Sequence, residues 1–455
     1  MMHVQKVTLV LVLGLGLVRW ANGVDLQVSS GPLIIGESVT MSTEGGIPSD
    51  FYWLFADNVS GDFHFHNGAW FGLGFSPGFV LVDQDKFGST GRLDFVMQVP
   101  DDPRLVGLSV FVQGVMDDPP IGVATSNRLD LLIRERSRGI LISVDEILTL
   151  PKSGTAWDQV LKVANETTGT PDLSDQDDFV NVRVLAKALV FGRTGDQRYR
   201  SDVIQACMDA IGTEQGGRTL ALGRELAAYV ISADIVGLPS TEDQRFRDWL
   251  RDSLDTVLDG KTLRSTHEER PNNWGTHCGG SRAAIAAYLG DSKELARCAQ
   301  VLKGWLGDRS SYAGFEYGDL SWQADPSHPV GINSKGSTKQ AHSIDGVLPD
   351  DQRRGGGFQW PPPKENYVYE ALQGALLQAI ILDRNGYDTW NWEDRALLRA
   401  FNWLHKEADF DAEGDDDWQP HVVNFFYGTA FPAPEASNPG KNIGWTCWIY
   451  GRGQG

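Results

Sequence analysis

Apolar and polar positions follow two different rhythms along this chain, and the change falls near residue 135. Before it, short runs rich in β-branched and aromatic residues (Phe51–Phe55, Phe79–Val82, Leu93–Val99, Leu108–Val115, Leu129–Ile133) are separated by clusters of Gly, Pro, Asn and Asp. The first kind of residue suits a pleated, half-buried strand and the second suits a turn. In Leu93-Asp94-Phe95-Val96-Met97-Gln98-Val99 one face is apolar and the other partly polar. Several such strands at regular spacing predict an antiparallel β-sandwich over residues 24–135. Arg134-Glu135-Arg136-Ser137-Arg138-Gly139 then reads as a boundary.

Beyond it the period lengthens. Between Thr219 and Leu238 the apolar Leu222, Leu226, Tyr229, Val230 and Ala233 recur at helical spacing, ending at Gly237 with Pro239 just after. Similar stripes are Leu295, Cys298, Val301, Leu302 and Trp305; Leu372, Ala375, Leu376 and Ala379; and Leu397, Phe401 and Leu404. Residues 140–455 are therefore predicted to be mostly helical, either as stacked helical hairpins or as hairpins curled into a toroid. No repeat of fixed period is present, which argues against a regular solenoid.

Composition narrows the function. His3 and Lys6 precede an apolar run from Val7 to Val18, followed by small Ala21 and Gly23, the layout of a signal peptide over residues 1–23. That run is short for a bilayer span, so the expectation is a secreted or periplasmic protein with no integral membrane segment after cleavage. A formal charge of −20 excludes nucleic acid as an expected partner, because phosphate binding needs clustered cations. An anionic polymer stays compatible provided that cations gather locally, since repulsion is screened beyond about 10 Å. Cys207, Cys278, Cys298 and Cys447 show no metal-ligand spacing, and no metal or other cofactor is expected. Export permits one or two disulfides; four buried thiols are the alternative.

Two stretches concentrate chemistry. Arg270-Pro271-Asn272-Asn273-Trp274-Gly275-Thr276-His277-Cys278-Gly279-Gly280-Ser281-Arg282 places amides, an imidazole and arginines beside an aromatic, running into an apolar helix. Polar groups converging beside an aromatic are how binding sites are built. The plainer reading is a helix cap and an interior histidine. From Lys339 to Tyr369 a second stretch holds His342, Asp345, Arg353, Arg354, Trp360, Tyr367 and Tyr369. A long aromatic loop between helices is uncommon unless it works. Tyr367 and Tyr369 cannot share one helix face, so at most one points into a site.

β-Elimination at a uronic acid needs this set. The carboxylate must be neutralised so that the neighbouring proton becomes acidic, which an amide, arginine or imidazole does by hydrogen bonding to the developing enolate. A Tyr or His removes that proton, and a Tyr or His protonates the leaving oxygen. Asn273, His277, His342, Arg353 and one of Tyr367 and Tyr369 are the expected catalytic set; Asn272, Trp274, Arg282, Arg354 and Trp360 are expected to bind substrate. Two alternatives stand beside this one. A glycoside hydrolase on a helical toroid would draw paired carboxylates from Asp345, Asp350, Asp351, Glu365 or Glu370. A binding protein would hold polysaccharide without cleaving it. In the first domain, Trp53, Trp70 or Phe71 either stack on sugar or belong to a structural core.

Asn272-Asn273-Trp274-Gly275-Thr276-His277 resembles the Asn-Asn signature of alginate-lyase-like helical-toroid polysaccharide lyases. Asp345-Gly346-Val347-Leu348-Pro349 with Arg353, then Tyr367-Val368-Tyr369-Glu370-Ala371-Leu372, is similar to their Asp-Gly-x-Leu-Pro, Arg and Tyr segment. The nearest resemblance is to polysaccharide lyase family 38, the alginate and glucuronan lyases. It implies an (α/α) toroid over residues 140–455, an active-site groove or tunnel, an Asn that neutralises the carboxylate, and Tyr and His as proton-transfer groups. Trp274 stands where many of those lyases carry His.

Overall fold

The computed structural model describes residues 25–28, 33–34, 38–65, 69–77, 79–100, 105, 108–118, 122–134 and 139–451. The expected signal peptide and most of the charged boundary segment lie outside them. Two compact units divide between Arg136 and Ser137.

The first unit is β. Strands β1 (Asp25–Val28), β3 (Ser38–Glu44) and β8 (Leu93–Gln98) form one antiparallel sheet in the order β1-β3-β8. β2 (Leu33–Ile34), β10 (Gly122–Arg134), β9 (Ser109–Asp118), β4 (Phe51–Asp57) and β7 (Val80–Lys86) form the other in that order, antiparallel except where β2 runs parallel to β10. Alternate residues point inward, as the pleat requires. Val39, Met41 and Phe95 from the first sheet share one core with Tyr52, Leu54, Val112, Leu129 and Leu131 from the second, which makes the unit a sandwich. A hairpin of β5 (Ser60–His64) and β6 (Trp70–Leu73) sits beside a cluster of phenylalanine rings that includes Phe55, Phe71 and Phe79. Phe71 is buried there, so its sugar-stacking reading gives way to the core one. Trp53 is half-buried and stacked on Phe51.

The second unit is helical, and its helices fall into two kinds. α3 (Val180–Thr194), α5 (Thr219–Val236), α8 (Asn273–Leu289) and α11 (Tyr367–Arg384) are buried on nearly every side. α4 (Gln197–Ala210), α6 (Ser240–Asp255), α9 (Ser292–Leu306) and α12 (Trp392–Lys406) bury one stripe and expose the other. The first set forms an inner layer and the second an outer one.

Contacts between inner helices climb in register, so these helices run parallel. Thr219 accepts from Cys278 Sγ (3.2 Å), and further along Gly223 accepts from Ser281 Oγ (2.8 Å). On the other flank His277 faces Glu370, and Gly279 faces Gln378. Two glycines set the spacing: a Cβ on Gly223 would meet the Cys278 backbone N at 2.9 Å, and one on Gly374 would meet the Thr276 carbonyl carbon at 2.3 Å.

The ring closes through α13 (Gln419–Tyr427) and α14 (Thr446–Tyr450), which return to α2 (Thr155–Ala164) and hence to α3. Trp448 packs on Trp157, and its indole donates to the Pro151 carbonyl (2.9 Å). The unit is thus an (α/α) toroid with the N-termini of its inner helices gathered at one end. All four cysteines are buried and free, so the thiol alternative holds over the disulfide one.

Candidate functional site

The polar residues of the inner helices concentrate at that end. Asn272 caps α8, its Oδ1 accepting from the Trp274 backbone (3.2 Å), as the capping reading expects. Its Nδ2 also donates to Asp350 Oδ2 (3.1 Å), which ties α8 to the long segment between α9 and α11. There α10 (Pro349–Gln352) leads into Arg353, whose Nε and Nη2 donate to the two oxygens of Asp350 (2.8 and 3.3 Å). One residue on in both segments the bond is repeated: the Asn273 N–H donates to Asp351 Oδ1 (3.2 Å).

Asn272 and Asn273 meet different surroundings: the first lines a cavity and the second is wholly buried. On the Asn272–Asp350 side is a cavity of about 320 Å³, lined by Lys261, Arg270, Asn272, Tyr317, Asp350 and Arg353 among others. Its walls mix both signs of charge. Arg353 is neutralised by Asp350 and Lys261 by Glu269. Arg270 has no carboxylate partner among the described residues and lies over the Trp274 ring at 4.6 Å.

On the Asn273–Asp351 side is an enclosed interior. Asn273 is wholly buried, yet among the described residues neither its side-chain oxygen nor its nitrogen is hydrogen-bonded. Both His277 ring nitrogens are likewise unbonded, and Nε2 lies 3.6 Å from Glu370 Oε2. Glu370 is in turn paired with Arg224 of α5. Burial lowers the His277 pKa against the opposing pull of Glu370, with Arg224 and Lys441 adding to the lowering, so the imidazole is held neutral. Burial opposes ionisation of Glu370, but the Arg224 guanidinium and Lys441 favour it, and the carboxyl is held below its ordinary range. Ionised Glu370 is balanced by Arg224. Beside them burial, with Asp178 and its acidic neighbours, pushes Glu225 up to about 10, and burial raises Asp351 and Asp416 well above the carboxylate range. An unpaired buried polar group costs roughly 1–3 kcal/mol. So many at one place mark a site rather than a core.

The remaining expected residues separate into four sets of partners. His342 stacks on Trp360 with ring centroids 4.3 Å apart. The Arg354 guanidinium lies 3.8 Å over the ring of Tyr367, which is exposed at the first position of α11. Tyr369 is fully buried, and its hydroxyl donates to the Phe410 carbonyl (2.6 Å). Its phenol is therefore committed to packing, which corrects the even choice between the tyrosines. Arg282 is also committed: it is buried between Glu268 (2.9 Å) and Glu294 (2.7 Å), so its expected substrate contact is replaced by an ion network.

Three of the five carboxylates considered for hydrolysis are held in ion pairs. Asp345 pairs with Arg399 (2.6 Å), Asp350 with Arg353, and Glu370 with Arg224. Among the described residues no group of three or more His, Cys, Asp or Glu is placed to hold a metal ion. Arg224, Glu225 and the structural use of Glu370 went unread in the sequence. The available signal was a charged pair inside an otherwise apolar stripe, Leu222-Gly223-Arg224-Glu225-Leu226.

Residues 178–314, from the start of α3 to just beyond α9, match the alginate lyase family. The helical unit is alginate-lyase-like. The matched segment contains Arg224, Asn273 and His277. No curated protein matches the chain. Among solved structures, a family 76 glycoside hydrolase from a bovine Bacteroides thetaiotaomicron strain is similar at 11% identity over 88% of this chain and 84% of that one, with a TM-score of 0.28. A polysaccharide lyase is similar at 10% identity over 89% and 55%, again with a TM-score of 0.28. Spo0M, a sporulation control protein from Bacillus subtilis, is similar at 11% over 31% and 53%, with a TM-score of 0.16. The chain spans about half the length of the last two. These likenesses are too distant to decide a function; the alginate-lyase-like fold rests on its own helix contacts and on the family match.

Proposed function

We propose that this alginate-lyase-like enzyme is secreted and cleaves a uronic-acid-containing polysaccharide, of alginate or glucuronan type, by β-elimination. The observation that carries the reading is the buried, unpartnered amide of Asn273 at the N-terminus of α8, inside the matched segment. A helix N-terminus favours negative charge, and a neutral amide there donates more strongly as the enolate develops. Substrate enters by the cavity, where Arg270 supplies a free cation and Asn272 and Arg353 form the wall. Because the Asn273 amide is enclosed, the reading requires the segment from Asp350 to Gln352 to draw back as the sugar binds. Neutral His277 is in the protonation state of a base, and Tyr367 under Arg354 is the accessible phenol of the expected pair. Among the described residues no helix is long and apolar enough to cross a membrane. Export is proposed from the apolar run Val7 to Val18 and the small residues after it.

The test is a panel of alginate, glucuronan and glycosaminoglycans followed by ultraviolet absorbance. Elimination leaves a carbon–carbon double bond conjugated to the uronate carboxylate, and absorbance rises on at least one polymer. Saturated non-reducing ends instead identify a hydrolase. Tight retention of uronan on a gel with no product identifies a binding protein.

A further inference from the structure

The cavity holds one proton-bearing group that neither the sequence motifs nor the family match singles out. Tyr317 lies outside residues 178–314 and outside both motif stretches. It nonetheless lines the cavity together with Asn272, Arg270 and Arg353. Its backbone is pinned on both sides: the Glu316 N–H donates to the Glu269 carbonyl (2.7 Å), and the Gly318 N–H donates to Asp350 Oδ1 (3.1 Å). The second of these shares its acceptor carboxylate with Asn272 and Arg353. The backbone beside Tyr317 is therefore tied to the carboxylate that also holds Asn272 and Arg353. Phe315 meets its ring edge-on at 6.1 Å. The hydroxyl makes no hydrogen bond among the described residues, in contrast to that of Tyr369.

We infer that Tyr317 is the general acid of the elimination, facing the bridging oxygen of a uronan seated in this cavity. The inference rests on the lyase reading. Once the segment from Asp350 to Gln352 has drawn back, the proton on C5, next to the carboxylate, passes to His277; its bonding pair becomes the C4–C5 double bond; the C4–O bond breaks, and the Tyr317 hydroxyl proton goes to the departing oxygen. Solvent water restores that proton after release. Burial raises the Tyr317 pKa, with Arg309 opposing and Asp350 reinforcing, so the phenol stays protonated at neutral pH, as an acid must. Arg270, the cation without a carboxylate partner, meets the substrate's charge in the same space.

Tyr317→Phe removes only the hydroxyl. Wild type and variant are compared on the best polymer and on a synthetic uronoside carrying fluoride at C4, a leaving group that departs without a proton. Loss of a general acid lowers turnover on the polymer by about 10²-fold or more. KM stays within about threefold and fluoride release keeps the wild-type rate. Polymer turnover within about threefold of wild type overturns the assignment, and so does an equal loss on both substrates in a variant with the wild-type melting profile. If wild type itself yields neither unsaturated product nor fluoride, the lyase reading fails and the role of Tyr317 falls with it. Tyr317→Leu serves as a packing control: it is expected to lose stability as well as activity, whereas Tyr317→Phe loses activity alone.

Discussion

The two ends of α8 carry similar residues under opposite conditions. At its C-terminal half Arg282 is buried but saturated, with Glu268 and Glu294 on its guanidinium and His267 within 3.4 Å. At its N-terminus Asn273 and His277 are buried and unsatisfied. Polarity and burial alone do not separate a site from a scaffold; satisfaction does. Where every donor has an acceptor the helix is being held in place, and where several do not the helix is presenting groups to something else.

Breaking the saturated end has the largest expected effect. Arg282→Met leaves Glu268 and Glu294 without their shared partner, and disrupting a buried ion pair destabilises by about 3–5 kcal/mol. Chemical denaturation shows it as a lower midpoint, while the folded fraction keeps its turnover. Asn273→Ala has the reverse signature. Turnover on the best uronan falls by about 10²–10³, the usual consequence of losing one donor to a developing oxyanion. The melting temperature holds or rises, because an unpaired buried amide has been removed. If Asn273→Ala melts well below wild type, the amide is structural and the contrast between the two ends collapses.

A finer effect appears in pH. Arg297, against the pull of burial and with Arg282 helping, holds Glu268 at about 2, below its ordinary 4.5. It therefore contributes stability above about pH 4.5 that is lost as the pH falls towards 2. Glu225 is the mirror case, raised from 4.5 to about 10 by burial. The folded form keeps a proton that the unfolded chain releases, so stability declines as pH rises from about 4.5 towards 10. Unfolding across pH should show Glu268→Gln flattening the acid side and Glu225→Gln flattening the alkaline side. Glu225→Gln should also melt above wild type at about pH 8. Identical profiles for the two variants would mean that the ends do not differ electrostatically.

Legibility in the sequence followed the same division. α5, α9, α11 and α12 were readable because a stripe of apolar residues has to face the core, and β4, β8, β9 and β10 because strand residues alternate. β3 and the β5–β6 hairpin were not: Ser38-Val39-Thr40-Met41-Ser42-Thr43-Glu44 is too polar to stand out, and the Asn67-Gly68 turn signal lies between runs too short to show alternation. Asn272 and Asn273 were legible as a cluster. Arg282 was swept in with them because it is close in sequence, but nine residues of helix carry it about 13 Å along the axis. Tyr317 was invisible for the complementary reason: it lies in a stretch without periodicity, and only folding brings it into the same cavity as Asn272.

The seam of the ring has a consequence for how the molecule comes into being. Tyr450 donates to the Leu141 carbonyl (3.4 Å) and Trp445 to that of Val182 (3.2 Å), contacts that join positions 309 and 263 residues apart. Closing so long a loop carries an entropic penalty that is recovered only when the last contact forms. On a ribosome the inner helices α3, α5, α8 and α11 emerge in sequence with one apolar flank uncovered until residues 445–450 arrive. A nascent chain stalled before Trp445 is an open crescent, and chaperone capture or proteolysis would be greatest at that length.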